Sequence, residues 1–126
     1  MPQYSLQVWP RPGASPLRSI EGRSFASESV AGHALVQGTK ITLAFGQGTL
    51  SAEAGCNTLD GPFTIESGVL RVSELRTTEM GCEAALAQQD AWLTGFLRGA
   101  PSVTLQEPRL TLGSGDVRVS LNAQQR

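Results

Sequence analysis

Two cysteines, one histidine and a scatter of serines and carboxylates are the side chains of this chain that could do chemistry. Cys56 lies in Ala54-Gly55-Cys56-Asn57 and Cys82 in Met80-Gly81-Cys82, and three states are open to the pair. A disulfide would stabilise by about 3–4 kcal/mol in the chain-entropy model, and an even cysteine count with one member on a loop favours it. Two reduced thiols can instead pack as small hydrophobes, since free cysteine is among the most buried residue types. A reactive thiol is the third state. It needs exposure and thiolate character, which a helix beginning near Cys82 would promote through its dipole. A structural zinc asks for four cysteine or histidine ligands; two cysteines and a single histidine fall short, so no metal is expected.

His33 sits in Ala31-Gly32-His33-Ala34. To act as a hydrolase base it would have to reach Ser24, Ser27 or Ser29 and be oriented by a third group, and no motif arranges that. It reads as a solvated loop residue. Gly-x-Ser-x-Gly does not occur, and Gly46-Gln47-Gly48 lacks the third glycine and strand-to-helix setting of a dinucleotide loop, so it reads as a turn. Glu53, Glu66 and Glu74 fall on polar faces or ends of different strands. Glu79, Glu83 and Asp90 lie near a helix, where solvated surface charge is the default, and only Glu83 and Asp90 share a helix face. No acid–base pair results; neither an enzyme activity nor a cofactor is expected.

The elements that must position these residues follow from hydrophobic period. Ile41, Leu43 and Phe45 alternate with Lys40, Thr42 and Ala44, and Leu50, Ala52 and Ala54 alternate with Thr49, Ser51 and Glu53 across Gly46-Gln47-Gly48, which predicts a hairpin. Phe63 and Ile65, then Leu70 and Val72, predict a second hairpin across Ser67-Gly68. Val103 and Leu105, Leu110 and Leu112, and Val117, Val119 and Leu121 predict a three-stranded meander, its last turn at Gly113-Ser114-Gly115. Clean alternation suits antiparallel strands wet on one face and buried on the other. Between Cys82 and Arg98 the period breaks, and alanine, leucine and glutamine favour helix. Steps of about 100° collect Cys82, Ala85, Leu86, Trp92, Leu93, Phe96 and Leu97 on one arc, interrupted by Gln89; Glu83, Gln88, Asp90, Thr94 and Arg98 take the other side. The expected architecture is α+β, a small antiparallel barrel-like sheet of about seven or eight strands packed on one amphipathic helix of which Leu86, Trp92, Leu93, Phe96 and Leu97 form the core face.

Length and charge bound the rest. A chain of 126 residues is one domain, large enough to bury a core. Four prolines (Pro2, Pro10, Pro12, Pro16) mark residues 1–19 as a leader or tether, with room for a short edge strand at Tyr4, Leu6 and Val8, and leave 20–126 as the domain. Ten basic and eleven acidic residues, scattered without runs, give no footprint for nucleic acid or an anionic membrane. No apolar stretch approaches a membrane span, and Met1-Pro2-Gln3 lacks the opening of a signal peptide.

Gly55-Cys56-Asn57-Thr58-Leu59-Asp60-Gly61, followed by a strand, and Leu75-Arg76-Thr77-Thr78-Glu79-Met80-Gly81-Cys82, leading into a helix, form a distinctive pair of segments. They resemble the META domain family of HslJ-like heat-shock proteins, on Gly55, Cys56, Asn57, Gly61, Thr78, Met80, Cys82, Phe96 and Leu97. Where that family usually carries a tryptophan in its first strand, this sequence has Phe25. The resemblance implies a small barrel-like α+β fold that is often exported and lipid-anchored, has no established catalytic residues, and is linked to stress or antibiotic tolerance. It therefore implies a cell-envelope location, a monomer, and an unknown protein or hydrophobic small molecule as partner, with membrane contact only through a lipid anchor outside this chain. A cytoplasmic redox-responsive protein using Cys56 and Cys82 is the alternative. Gly55 and Gly61 are expected to bracket a tight excursion with positive φ, and Asn57 to bond its own backbone two residues on.

Overall fold

The computed structural model describes residues 20–124. The proline-rich leader, with the edge strand expected around Tyr4 to Val8, lies outside the described residues. In chain order the elements are β1 (Arg23–Ala31), β2 (Thr42–Phe45), β3 (Thr49–Glu53), β4 (Thr58–Glu66), β5 (Val69–Val72), β6 (Arg76–Thr77), α1 (Ala84–Arg98), β7 (Ser102–Gln106), β8 (Arg109–Ser114) and β9 (Val117–Ala123). The strands run β3-β2-β1-β9-β8-β7-β5-β4, and β4 pairs back onto β3, so eight antiparallel strands close into a barrel. β6 adds a short pairing to β4 at Leu59 and Asp60. Among the described residues, closure leaves no long free edge to recruit another chain.

Each strand follows the alternation of its sequence. In β3, Leu50 and Ala52 are buried while Thr49 and Glu53 are exposed, and in β8 Leu110 and Leu112 point inward. The β4–β5 hairpin turns on Ser67 and Gly68, both at positive φ (54° and 74°), the geometry that matches the right-handed twist of the paired strands. The last turn differs from expectation: β8 continues through Gly113 and Ser114, and the chain reverses at Gly115-Asp116. Gly113 is a strand residue because Arg118, its register partner, lies across it; a Cβ there would meet Arg118 Nη1 at 2.9 Å.

One core fills the barrel. Phe25 is fully buried, packing its edge on Phe45 at 5.9 Å between ring centres, and Phe45 meets Phe63 at 5.2 Å. A phenylalanine thus occupies the first-strand position where the resemblance led to an expected indole. Leu93, Phe96 and Leu97 of α1 enter the same cluster as Leu43, Leu50, Leu59, Leu70, Leu112 and Leu121. The other two residues of the expected core face stand further out: Trp92 and Leu86 are only half-buried. α1 packs mainly against β5 and ends at Gly99, where Ala100 turns left-handed (φ 56°) ahead of Pro101.

Candidate functional site

Cys56 and Cys82 are joined by a disulfide with their Cα atoms 6.4 Å apart, tying the β3–β4 turn to the residues just before α1. Between those two segments stands Asn57, whose side chain uses both its ends. Its Nδ2 donates to Asp90 Oδ2 at 3.2 Å and lies 3.6 Å from Cys82 Sγ. Its Oδ1 accepts the Thr78 hydroxyl at 2.8 Å and the Met80 backbone N–H at 2.7 Å. The bond expected to its own backbone is replaced by these, because three segments bring better-placed partners within reach. Thr78 continues the chain of bonds by accepting the Thr58 N–H at 3.0 Å. Met80 takes part through its backbone alone; its side chain is 61% exposed.

Asp90 corrects the sequence reading. Rather than solvated surface charge, it is buried, and its Oδ2 accepts both the backbone N–H of Asn57 (3.0 Å) and the Asn57 amide. Its Oδ1 is buried without a hydrogen-bond partner, an arrangement that costs about 1–3 kcal/mol for a buried acceptor. Asp90 is drawn inward because the Asn57 turn presents two donors that no strand satisfies. Its neighbour Gln89 is buried for the same reason. Gln89 Oε1 accepts the Val36 N–H at 2.7 Å, and Nε2 donates to Thr39 Oγ1 at 2.9 Å and to the Ala54 carbonyl. The residue that interrupted the apolar arc is therefore the peg joining α1 to the 32–41 loop and the end of β3.

The two motif glycines serve different needs. Gly55 has the expected positive φ (122°), and a Cβ there would press on Leu86 Cδ2 at 3.1 Å and Thr39 Cγ2 at 3.2 Å. Gly61 does not have positive φ; it sits inside β4, where a Cβ would meet the Ser73 carbonyl oxygen at 2.7 Å. Close backbone approach, where β4 passes from β6 to β5, is what requires glycine there.

His33 is likewise not a free loop residue. Its ring stacks on Trp92 at 3.9 Å with the planes 3° apart, and Trp92 stacks in turn on Phe96 at 5.6 Å. Trp92 is thus held at the barrel surface as the support for His33. Ser27 Oγ, one of the three hydroxyls weighed as partners of His33, accepts the Ile41 N–H at 2.9 Å. Beside His33 opens a cleft of about 450 Å³ lined by β1 and the 32–41 loop, with Ser27, Glu28, Ser29, Val30, Leu35 and Lys40 on its walls. The site therefore has two parts: a sulfur–carboxylate cluster at the start of α1, and an open, mixed-polarity cleft walled by His33 and by the loop that Gln89 ties to α1. Sequence reasoning missed Gln89, Asp90 and the His33 stack. The single legible signal was a glutamine set into an apolar arc, a polar group that a buried face can hold only with partners.

Compared with known proteins, residues 18–126 match a family model described as META domain. Two proteins solved by NMR share the fold. One, from Burkholderia xenovorans, superposes with a TM-score of 0.73 at 20% identity, both chains being covered in full. The other gives a TM-score of 0.69 at 23% identity, covering 84% of this chain and 92% of that one. A search among curated proteins finds no match.

Proposed function

Because the chain belongs to the META domain family, we propose that it is a non-enzymatic domain exported to the cell envelope, where it binds a partner protein through the cleft beside His33. The disulfide carries this reading: such bonds persist in oxidising compartments and are rare in the reducing cytosol. It clamps the end of the molecule where α1 begins, and Gln89 links the same helix to the loop that walls the cleft. The cleft mixes Glu28 and Lys40 with Val30 and Leu35, chemistry suited to an extended polypeptide segment more than to an acyl chain. The barrel interior is filled by leucine and phenylalanine side chains, which argues against a hydrophobic small molecule held within it. A role in heat-shock or antibiotic tolerance is the physiological setting this reading expects.

The compartment is tested by fractionating host cells and trapping thiols with a maleimide-bearing polymer before and after reduction. An envelope fraction that labels only after reduction, at both cysteines, is expected. Free thiols in a cytoplasmic fraction would overturn the reading in favour of a cytoplasmic redox-responsive protein. For the cleft, a photocrosslinking residue at Ser29 or Lys40 should yield a discrete adduct in the host, and one at Glu66 should not. Equal crosslinking from all three, or none, removes the cleft from the proposal.

A further inference from the structure

The clamp at the start of α1 has the composition of a cation site. Cys56 Sγ, Cys82 Sγ and a carboxylate oxygen of Asp90 all lie within 4.8 Å of one another. Asp90 is 7% exposed and commits Oδ2 to both Asn57 donors, while its buried Oδ1 has no hydrogen-bond partner. A carboxylate that lies against two sulfurs and has a buried acceptor left over has a use if the sulfurs and that oxygen share an ion. We infer that the reduced form of this chain binds one thiophilic divalent cation, zinc being the reference, through Cys56 Sγ, Cys82 Sγ and Asp90 Oδ1. Disulfide and bound cation are then two exclusive states of one site. The inference is independent of the compartment and of the cleft.

The geometry allows it with small movements. Bonds of about 2.3 Å to sulfur and about 2.1 Å to oxygen at tetrahedral angles place ligand atoms roughly 3.6–3.8 Å apart. The unbonded sulfurs must part to that distance, and the Asp90 carboxylate, one oxygen of which lies within 4.8 Å of both sulfurs, must bring Oδ1 to it, which side-chain torsions supply. Asn57 is placed to support the site, since its Nδ2 lies 3.6 Å from Cys82 Sγ while the Thr78 hydroxyl and Met80 N–H hold its other end. Both cysteines are half-buried, so the fourth position faces solvent and can take water or an incoming ligand. Two thiolates with one carboxylate select borderline and soft cations over magnesium or calcium.

Entry into this state balances as follows. A dithiol donor passes two electrons and two protons to the Cys56–Cys82 disulfide, and the donor itself becomes a disulfide. Each thiol then releases its proton to solvent as its sulfur bonds the cation. In reverse, a disulfide of the same class takes up two electrons from the two thiolates and two protons from solvent to become a dithiol, the Cys56–Cys82 bond re-forms and the ion is released.

The test uses the full chain, reduced with a phosphine, desalted without oxygen and titrated with Co²⁺, then Zn²⁺. One Co²⁺ per chain is expected, with thiolate-to-cobalt charge transfer and the visible bands of tetrahedral cobalt, displaced by one Zn²⁺; the oxidised chain should show neither. Asp90→Asn, first confirmed as folded in its oxidised form, should bind Co²⁺ more weakly by about 10-fold or more. Glu83→Gln, an exposed neighbour, should leave binding unchanged, and Cys56→Ser should remove most of the charge-transfer intensity. If the reduced chain unfolds, circular dichroism puts the same question. One equivalent of Zn²⁺ should then restore the native spectrum of the parent chain and not of Asp90→Asn. Equal Co²⁺ affinity in parent and Asp90→Asn, an octahedral spectrum, or a reduced chain that neither holds Co²⁺ nor regains its fold with Zn²⁺ overturns the proposal.

Discussion

At the scale of single residues, the disulfide and Asn57 hold together segments that share no strand pairing with α1. Removing the crosslink through Cys56→Ser should cost about 2–5 kcal/mol, and adding Cys82→Ser little more, because both changes delete one bond. Urea denaturation of both single variants and the double variant measures this; additive costs would mean that each sulfur contributes by packing alone. Asn57→Ala takes the acceptor from the Thr78 hydroxyl proton and the Met80 N–H and removes one of the two donors to Asp90 Oδ2, the Asn57 backbone N–H remaining, and should cost about 1–3 kcal/mol. Met80→Ala, by contrast, should stay within about 0.5 kcal/mol, since the exposed side chain takes no part in that network. Equal losses from the two substitutions would contradict the backbone role assigned to Met80.

At the scale of elements, two glycines carry opposite expectations. Gly61→Ala forces a Cβ against the Ser73 carbonyl oxygen at 2.7 Å where β4, β5 and β6 converge, and should destabilise by about 1–3 kcal/mol. Gly95→Ala lies on the exposed side of α1 with nothing within 4 Å of the added methyl, and should stabilise by about 0.5–1 kcal/mol. Thermal unfolding of the pair reads both signs in one experiment. The contrast separates glycine used for close approach from glycine that only lowers helix propensity. α1 itself depends on its tertiary setting: Glu83 precedes it without a side-chain capping bond, so packing by Leu93, Phe96 and Leu97 and the Gln89 contacts hold it in place.

At the scale of the whole molecule, the barrel is closed unevenly. β8 and β9 share a six-pair ladder from Val117–Ser114 to Asn122–Arg109, whereas β5 meets β7 at Val69–Ser102, supported by Leu70 N–H to the Pro101 carbonyl (2.9 Å) and Val103 N–H to the Gly68 carbonyl (2.8 Å). Amide hydrogen exchange should therefore be faster at Leu70 and Val103 than at Leu112 and Val119. Uniform protection around the barrel would contradict a weak seam. Elsewhere β1 is tied to the β7–β8 turn by a two-pronged pair, Arg23 Nη1 and Nη2 to Glu107 Oε2 and Oε1 at 2.7 and 2.8 Å. The hydrogen bonds from Arg23 hold the Glu107 carboxyl below its ordinary value of 4.5. The stabilisation is thus present at neutral pH and is lost as pH falls below that value. On an exposed pair it should amount to less than about 1 kcal/mol, so Glu107→Gln should be slightly less stable than the parent at pH 7 and converge with it in acid or high salt.

Local pattern alone determined most of this fold. The hairpins at residues 41–54 and 63–72, the closing meander and the helix before Arg98 were legible because a period of two or of 3.6 is written into consecutive residues. The segments around Cys56 and Cys82 also marked the family. Tertiary structure alone decided that the sheet closes through β3 and β4, that Gly61 is needed for a backbone crossing and not for its φ, and that His33 stacks on Trp92. It also decided the fate of Gln89 and Asp90. Helical spacing puts Asp90 beside Glu83, yet Asp90 is buried because donors from Asn57, 33 positions earlier, reach it only once the barrel has folded. Alternation encodes which side of an element meets apolar surface. Whether a polar side chain on the other side meets water or an unsatisfied backbone group depends on segments distant in the chain, and that information arises only in the assembled molecule.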